Sequence, residues 1–421
     1  MAVADDAATR ADALADIDLY DADRYAEGAP YEAFARLRRA DPVHWQPEPE
    51  GPGYWAVLRH ADVLAVARDI ATFSSERGSV MIEDLSPPAL ARMRRMLLVM
   101  DPPRHGLYRR MVLHAFTPRS VDRLEPRVRA IARAALARAR DEPELEFVHD
   151  VAARVPMEVI GELFGIPAAD RAQVHAWAER STGPPEPDGA PGEAPRARRD
   201  LETSPMERYA VELARDRRGR EGDDLTTRIA NARVEGRTMS DAEFGAFFVQ
   251  MVTAGNDTTR TLLANGLLGL LRFPDELARL RGDRALLPTA VEEMLRWESP
   301  LHGFRRTATR DVELAGTRVR EGDKVVMMYT SANRDERVFT EPDRFDAGRD
   351  PNPHLAFGFG EHFCLGAKLA RLEARVFFDE LLDAFGGVEL AGAPVWQRSN
   401  LSNGLAALPV RFAPARGRRP S

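Results

Sequence analysis

Apolar residues recur every three to four positions along most of this chain, so helices are predicted to dominate. The helical stretches are Pro30–Ala40, Ala61–Arg68, Asp101–His114, a long pattern from Val121 to Ile166, Asp170–Ser181, Ser240–Leu271, Pro288–Trp297 and Gly366–Leu382. The longest, Ser240–Leu271, opens on Ser240 with Glu243 following at capping-box spacing. Apolar–polar alternation predicts short strands at Val43–Gln46 and Gly53–Leu58, around the turn PEPEGPG. Residues 301–329, LHGFRRTATRDVELAGTRVREGDKVVMMY, alternate in the same way, with a hairpin turn near Ala315-Gly316. Phe73–Leu98 mixes Ser, Gly and Pro with apolar residues and fits no single element; Met81 and Ile82 within it face either a ligand or the core. Residues 1–20, rich in Ala and Asp, are expected to be mobile. Residues 183–195, GPPEPDGAPGEAP, cannot form a regular helix or strand, and they form either a domain linker or a loop over a site. No repeat of fixed period interrupts this order.

Composition narrows the classes. Hydrophobic residues make up 44% and charged residues 30%, which describes a globular protein with a large core. The formal net charge of −7 argues against a general nucleic-acid binder. The single cysteine excludes an intrachain disulfide, a Cys-based zinc site and an all-Cys iron–sulfur cluster. The N-terminus lacks a basic n-region and an apolar h-region. The longest apolar run, Phe244–Gly255, is too short to span a bilayer. A soluble cytoplasmic protein without a membrane anchor is expected.

That cysteine, Cys364, lies in His354–Gly366, HLAFGFGEHFCLG, where Gly358, Gly360 and Gly366 predict a tight loop. The helix that follows would leave the thiol at its N-terminal end, where thiolate is favoured. A thiolate so placed serves as nucleophile, redox sensor or metal ligand; the plainer alternative is a small buried hydrophobe. A second unusual stretch is Thr253-Ala254-Gly255-Asn256-Asp257-Thr258-Thr259, inside the longest helix. An acid and hydroxyls in an apolar helix cost free energy unless satisfied. Thr258 can bond back to the Ala254 carbonyl and bend the helix, while Ala254 and Gly255 leave room for a flat ligand. The alternative is a kink with a satisfied polar patch. His105 and Arg109 share a helix face, as do Glu293 and Arg296, and such pairs are common on solvated surfaces.

The pattern FGxGxHxCxG at Phe357–Gly366 closely resembles the haem-binding loop of the cytochrome P450 family of haem-thiolate monooxygenases. Ala254–Thr259 is similar to that family's AGx[DE]TT motif at every position, and Glu293–Arg296 to its ExxR. The resemblance runs from about Asp21 to Phe412. It implies a mainly α fold with small β-sheets (α+β), triangular, with haem between the long central helix and the Cys-loop helix. Residues 21–421 would form one catalytic domain. The implied cofactor is haem b, with Cys364 as its iron ligand. By the same resemblance His105, Arg109, Arg306 and His362 reach the haem propionates, with Arg305 as the neighbouring candidate. Ala254, Gly255, Phe357, Gly358 and Gly366 would border the ring. Asp257 and Thr258 would be the acid–alcohol pair that delivers protons during oxygen activation. Glu293, Arg296 and Arg344 would hold the cysteine loop. Residues 183–195 would be a lid loop rather than a linker.

The implied reaction is hydroxylation of an unactivated C–H bond of a hydrophobic small molecule, with O2 and two electrons. The electrons would come from a separate ferredoxin or flavodoxin with its reductase, since no flavin or iron–sulfur domain is visible. Arg110, Lys368, Arg371 and Arg375 could present a basic docking surface, although such charges are more often simply solvated. The runs NPHLAFGFGEHFCLGAKLARLE, AGNDTTR and SNLSNGLAALPVRF look most like the bacterial branch that oxidises sterol side chains, terpenoids and methyl-branched lipids; related branches tailor natural products. Pocket candidates are Gln250, Thr253, Ala254, Leu301, His302, Phe304, Asn400 and Leu401. Gln250 and His302 are either polar handles or satisfied structural groups. A monomer is expected. The alternatives are oxidative coupling or cyclisation, for example of a cyclic peptide, without oxygen insertion, and a haem sensor without turnover.

Overall fold

The computed structural model describes residue 14 and residues 16–113, 116–182 and 204–414. Most of the 1–20 segment, the end of the 101–114 helix at His114 and the 183–195 loop lie outside the described residues. The helices used below are α1 (Tyr31–Ala40), α2 (His60–Arg68), α3 (Arg104–Leu113), α4 (Glu125–Asp141), α5 (Arg154–Phe164), α6 (Ala168–Thr182), α7 (Pro205–Arg217), α8 (Asp241–Arg272), α9 (Leu287–Trp297) and α10 (Ala367–Ala384). The strands are β1 (Val43–Gln46), β2 (Tyr54–Val57), β3 (Phe73–Ser74), β4 (Glu144–Glu146), β5 (Gly303–Ala308), β6 (Val312–Leu314), β7 (Thr317–Val319), β8 (Lys324–Met328), β9 (Phe385–Leu390), β10 (Val395–Trp396), β11 (Leu405–Ala407) and β12 (Pro409–Pro414). Most periodic stretches become the expected elements with ends shifted by a few residues, but the helical pattern from Val121 to Ile166 is broken into α4, strand β4 and α5. The unassigned stretch 73–98 contains β3 and a short helix, Pro87–Met93. Ser86 caps that helix, its hydroxyl accepting from the Ala89 amide, and Pro87 sits in its first turn, both positions that favour these residues.

The chain divides into two compact units. The first comprises residues 1–83, 265–364 and 393–408. Its sheet runs β1-β2-β8-β5-β3, with β2 and β8 parallel. Strand β8 is buried at every position, so its Lys324 needs a counter-charge. Glu48 supplies one at 2.7 Å. The β6–β7 hairpin turns at Ala315 and Gly316, both with positive φ (49° and 84°). One face of this unit packs Val43, Val57, Phe73, Val325 and Leu355; another packs Tyr25, Phe34, Leu37, Ile82 and Val326.

The second unit comprises residues 84–264, 365–392 and 409–421. Its core gathers Phe164, Phe244, Phe247 and Phe248 with residues of α3, α5 and α7. Helix α10 lies against α4, and Arg129 of α4 reaches Asp379 and Glu380 at 2.8 and 2.7 Å. The capping box at the start of α8 forms as expected: the Ser240 amide donates to Glu243 at 2.9 Å, and the Glu243 amide to Ser240 at 3.4 Å. No helix among the described residues is long and apolar enough to cross a membrane.

Glu373 on α10 is buried, and its Oε2 has no hydrogen-bond partner among the described residues. Burial pushes its carboxyl up to about 8 from the usual 4.5. A raised folded-state pKa means that the native state binds the extra proton. Its contribution is therefore complete below about pH 4.5 and is lost as pH rises to about 8. Glu373→Gln should flatten that decline and gain on the order of 2–4 kcal/mol at alkaline pH. Denaturant unfolding at acid and alkaline pH checks this; equal stability of both proteins at alkaline pH would contradict it.

Candidate active site

The cysteine loop lies in the first unit. Gly358 and Gly360 take positive φ, 68° and 71°. A Cβ on Gly360 would sit 2.9 Å from the Ala67 carbonyl oxygen of α2, so only glycine fits this approach. The Cys364 amide donates to the Phe357 carbonyl at 2.9 Å, closing the loop. The thiol is exposed, as are the neighbouring Phe359 and Phe363. Upstream, His354 Nε2 lies 3.0 Å from Glu292 of α9, pinning the start of the loop.

Several expected cofactor contacts come together in this unit. Arg306 on β5 is buried, and its Nη1 donates to the Arg305 carbonyl at 2.9 Å. Its charge acts on Tyr329, whose hydroxyl would lie 3.7 Å from a Cβ on Gly358. His362 Nε2 hydrogen-bonds Ser75 Oγ at 3.2 Å. Arg305 points elsewhere, to the carbonyls of Ile82 and Glu83, as strand alternation requires. Ser75 and Tyr329 had no signal in the sequence. An exposed thiol with a buried guanidinium and an imidazole in one unit is a donor set that suits a haem: sulfur for iron, cations for carboxylates.

The support behind the loop differs from expectation at one residue. Glu293 and Arg296 pair on α9, wholly buried, at 2.7 and 2.8 Å. The third member is Arg349, not Arg344. Arg349 Nε reaches both Glu293 oxygens at 3.1 Å. The Arg344 side chain is exposed beside Glu341 and only its carbonyl joins the network, accepting from Arg296 and Arg349 at 3.1 Å each. Glu293 also accepts from the Asp346 amide and from Asn352. Arg296 further binds the Asn333 carbonyl, and Asn333 Oδ1 takes the Leu355 amide at 2.6 Å. The buried pair is thus wired to the cysteine loop.

The acid–alcohol candidates lie on α8 in the second unit. Thr258 Oγ1 donates to the Ala254 carbonyl at 2.7 Å, as expected. Asp257 is ion-paired with Arg260, one turn on, which the sequence reading did not anticipate. Thr253 bonds back to Val249 at 2.8 Å. Ala254 is exposed although it is apolar and mid-helix. A Cβ on Gly255 would meet Ile160 Cδ1 at 2.7 Å, so its small size also lets α5 pack close. Gly366 caps α10 in open space. On α3, His105 is buried and Arg109 half-buried. Of the basic docking candidates, Lys368 pairs with Asp122, Arg375 with Glu125 and Arg110 with Glu235, so much of that charge is neutralised.

Both polar pocket candidates have partners within the protein. His302 is buried against Tyr25, ring centroids 4.5 Å apart, with Nδ1 3.3 Å from Thr330 Oγ1. Burial pushes its pKa down to about 3, so the ring is neutral and belongs to the core. Gln250 Oε1 accepts from the Leu98 amide at 3.4 Å. Leu301, Phe304 and Leu401 are half-buried; Phe304 packs edge-on to Tyr329, and the Leu401 carbonyl accepts from the His302 amide. Asn400 is tied to the Tyr20 carbonyl at 2.8 Å.

Comparison with known proteins places this arrangement. Residues 206–411 match the family model Cytochrome P450. The chain is 39% identical over 415 residues to a methyl-branched lipid omega-hydroxylase of Mycobacterium bovis, covering 95% of each. It is 35% identical over 410 residues to a steroid C26-monooxygenase of Mycolicibacterium smegmatis, covering 95% of this chain and 94% of the other. A solved Mycobacterium marinum cytochrome P450 in complex with pseudoionone superposes with a TM-score of 0.85 at 38% identity, covering 94% of this chain and 98% of that one.

Proposed function

This chain belongs to the cytochrome P450 family of haem monooxygenases, and from that premise we propose that it hydroxylates an unactivated C–H bond of a sterol side chain or methyl-branched lipid. The observation that carries the substrate class is the fate of the polar pocket candidates. His302 is sunk in the core and Gln250 is bound to a backbone amide. Leu301, Phe304 and Leu401 remain, and they suit an apolar body. The names of the two relatives point the same way. We assign residues 21–421 to one catalytic domain, a reading supported by relatives matched over nearly their whole length. It acts as a cytoplasmic monomer with a separate ferredoxin or flavodoxin as electron donor.

Haem held by a thiolate supplies oxygen activation, because the anionic sulfur favours O–O cleavage. The chain's part is to hold, orient and protonate. Cys364 gives the sulfur, from a loop fixed by glycine geometry and by the Glu293 network. Arg306 and His362 would neutralise the cofactor's carboxylates, and His105 and Arg109 are further candidates for that role. The Thr258 hydroxyl has its hydrogen on Ala254 O, which leaves its lone pairs to accept. Asp257, beside Thr258 on the same helix, would relay the proton that Thr258 Oγ1 hands on.

Thr258→Ala should therefore continue to consume reductant while product per reductant falls about tenfold or more, with peroxide released instead. Unchanged coupling would move proton delivery elsewhere. The function itself is tested with a ferredoxin, its reductase, cholestenone and phytanic acid. A product heavier by one oxygen supports hydroxylation. A product lighter by two hydrogens would shift the reading to coupling or desaturation.

A further inference from the structure

Tyr329 follows strand β8 directly and is 5% exposed. Its ring sits edge-on to Phe304 of β5, centroids 6.1 Å apart, among the apolar residues of one packed face of the first unit. Among the described residues its hydroxyl makes no hydrogen bond. Burying a hydroxyl without a partner costs free energy, and phenylalanine would fill the same space without that cost. Something must therefore use the hydroxyl. Its position says what. The hydroxyl would lie 3.7 Å from a Cβ on Gly358, so it faces the cysteine loop. Phe304 and Arg306 alternate onto one face of β5, opposite Met327 and Val325 of β8. The Arg306 guanidinium is close enough for its charge to oppose the effect of burial on the phenol. Ser74 of β3 pairs with Thr307 of β5, so Ser75, next along, comes level with Arg306. Ser75 Oγ in turn lies 3.2 Å from His362 Nε2.

Guanidinium, imidazole and phenol thus gather beside the cysteine loop. Among the described residues no carboxylate acts on Tyr329, whose pKa answers only to burial and to Arg306. A phenol O–H next to a cation gains most by donating to an anion that both share. The missing acceptor is then an anion from outside the chain, and the haem carboxylates are the anions this site has to hold. We propose that Tyr329 is a further cofactor-binding residue: its hydroxyl donates to the haem carboxylate that Arg306 neutralises and helps to retain the cofactor. The proposal rests on the haem-thiolate reading above. Burial pushes the phenol pKa up, so the group stays protonated and able to donate.

The test starts from the haem-loaded protein. Tyr329→Phe removes the donor and keeps the ring, and haem loss to excess apomyoglobin should quicken about tenfold or more. Tyr54 is the control: its hydroxyl is also buried without a partner among the described residues, but on the other packed face, with Tyr25 and Phe34. Tyr54→Phe should leave the rate of haem loss within about twofold. A carboxylate that loses a donor protonates more readily, so in Tyr329→Phe the proton-linked step of the haem midpoint potential should move up by about one pH unit. The haem-free Tyr329→Phe protein should unfold at the same denaturant concentration as the wild type or higher, since only an unpartnered hydroxyl is gone. Failure of this variant to load haem, with the haem-free fold intact, supports the proposal as rapid loss does. Unchanged haem loss, an equal effect in Tyr54→Phe or a weakened haem-free fold would reduce Tyr329 to a packing residue. Those outcomes beside a wild-type haem-thiolate spectrum overturn this assignment alone; a wild-type protein without that spectrum overturns the functional reading with it.

Discussion

Cys364→Ser is expected to lower monooxygenase turnover by more than about a thousandfold, a loss of about 4 kcal/mol or more in the chemical step. An alcohol stays protonated at neutral pH, so it gives iron neither a strong anionic ligand nor the electron push of sulfur. The chain has no second cysteine to take over. In the haem-free protein the exchange is nearly isosteric at an exposed position, so the folding stability of that form should change by less than about 0.5 kcal/mol. Product formation measured beside a denaturant curve separates the two effects. Retained turnover would contradict the ligand assignment.

The second large effect is expected at Glu293. Its carboxylate is fully buried and accepts from Arg296, Arg349, Asn352 and the Asp346 amide. Removing one partner of a buried ion pair leaves an uncompensated charge and costs about 3–5 kcal/mol. Glu293→Ala should therefore unfold at much lower denaturant and load little haem. Arg349→Ala should follow it in direction. Arg344→Ala is the control: its side chain is exposed and, among the described residues, pairs with Glu341, a contact worth about 0–1 kcal/mol. Its carbonyl, the part that the network uses, survives the substitution. If Arg344→Ala matched Glu293→Ala and Arg349→Ala were silent, the third member would be misassigned.

That exchange of Arg344 for Arg349 shows where sequence reasoning ends. The Glu293–Arg296 spacing is set by one helical turn, so a pattern can find it. Which arginine closes the triad depends on how the 340–352 loop folds back, and no local period encodes that. The cysteine loop and the Asp257-Thr258 pair were legible because fixed spacing carries them. His302 was not, since its neighbour Tyr25 comes from the far end of the chain. Nor was it legible that α5 brings Ile160 against Gly255. Arg305 could be told from Arg306 by alternation, but not that its guanidinium would reach the Ile82 and Glu83 carbonyls.

The most direct measurement is the absorption spectrum of the purified, haem-loaded protein, reduced and saturated with carbon monoxide. The account requires the red-shifted Soret band of a thiolate-ligated haem, lost in Cys364→Ser. A band at the position typical of imidazole- or oxygen-ligated haem in the wild-type protein, or one that survives in Cys364→Ser, would contradict it.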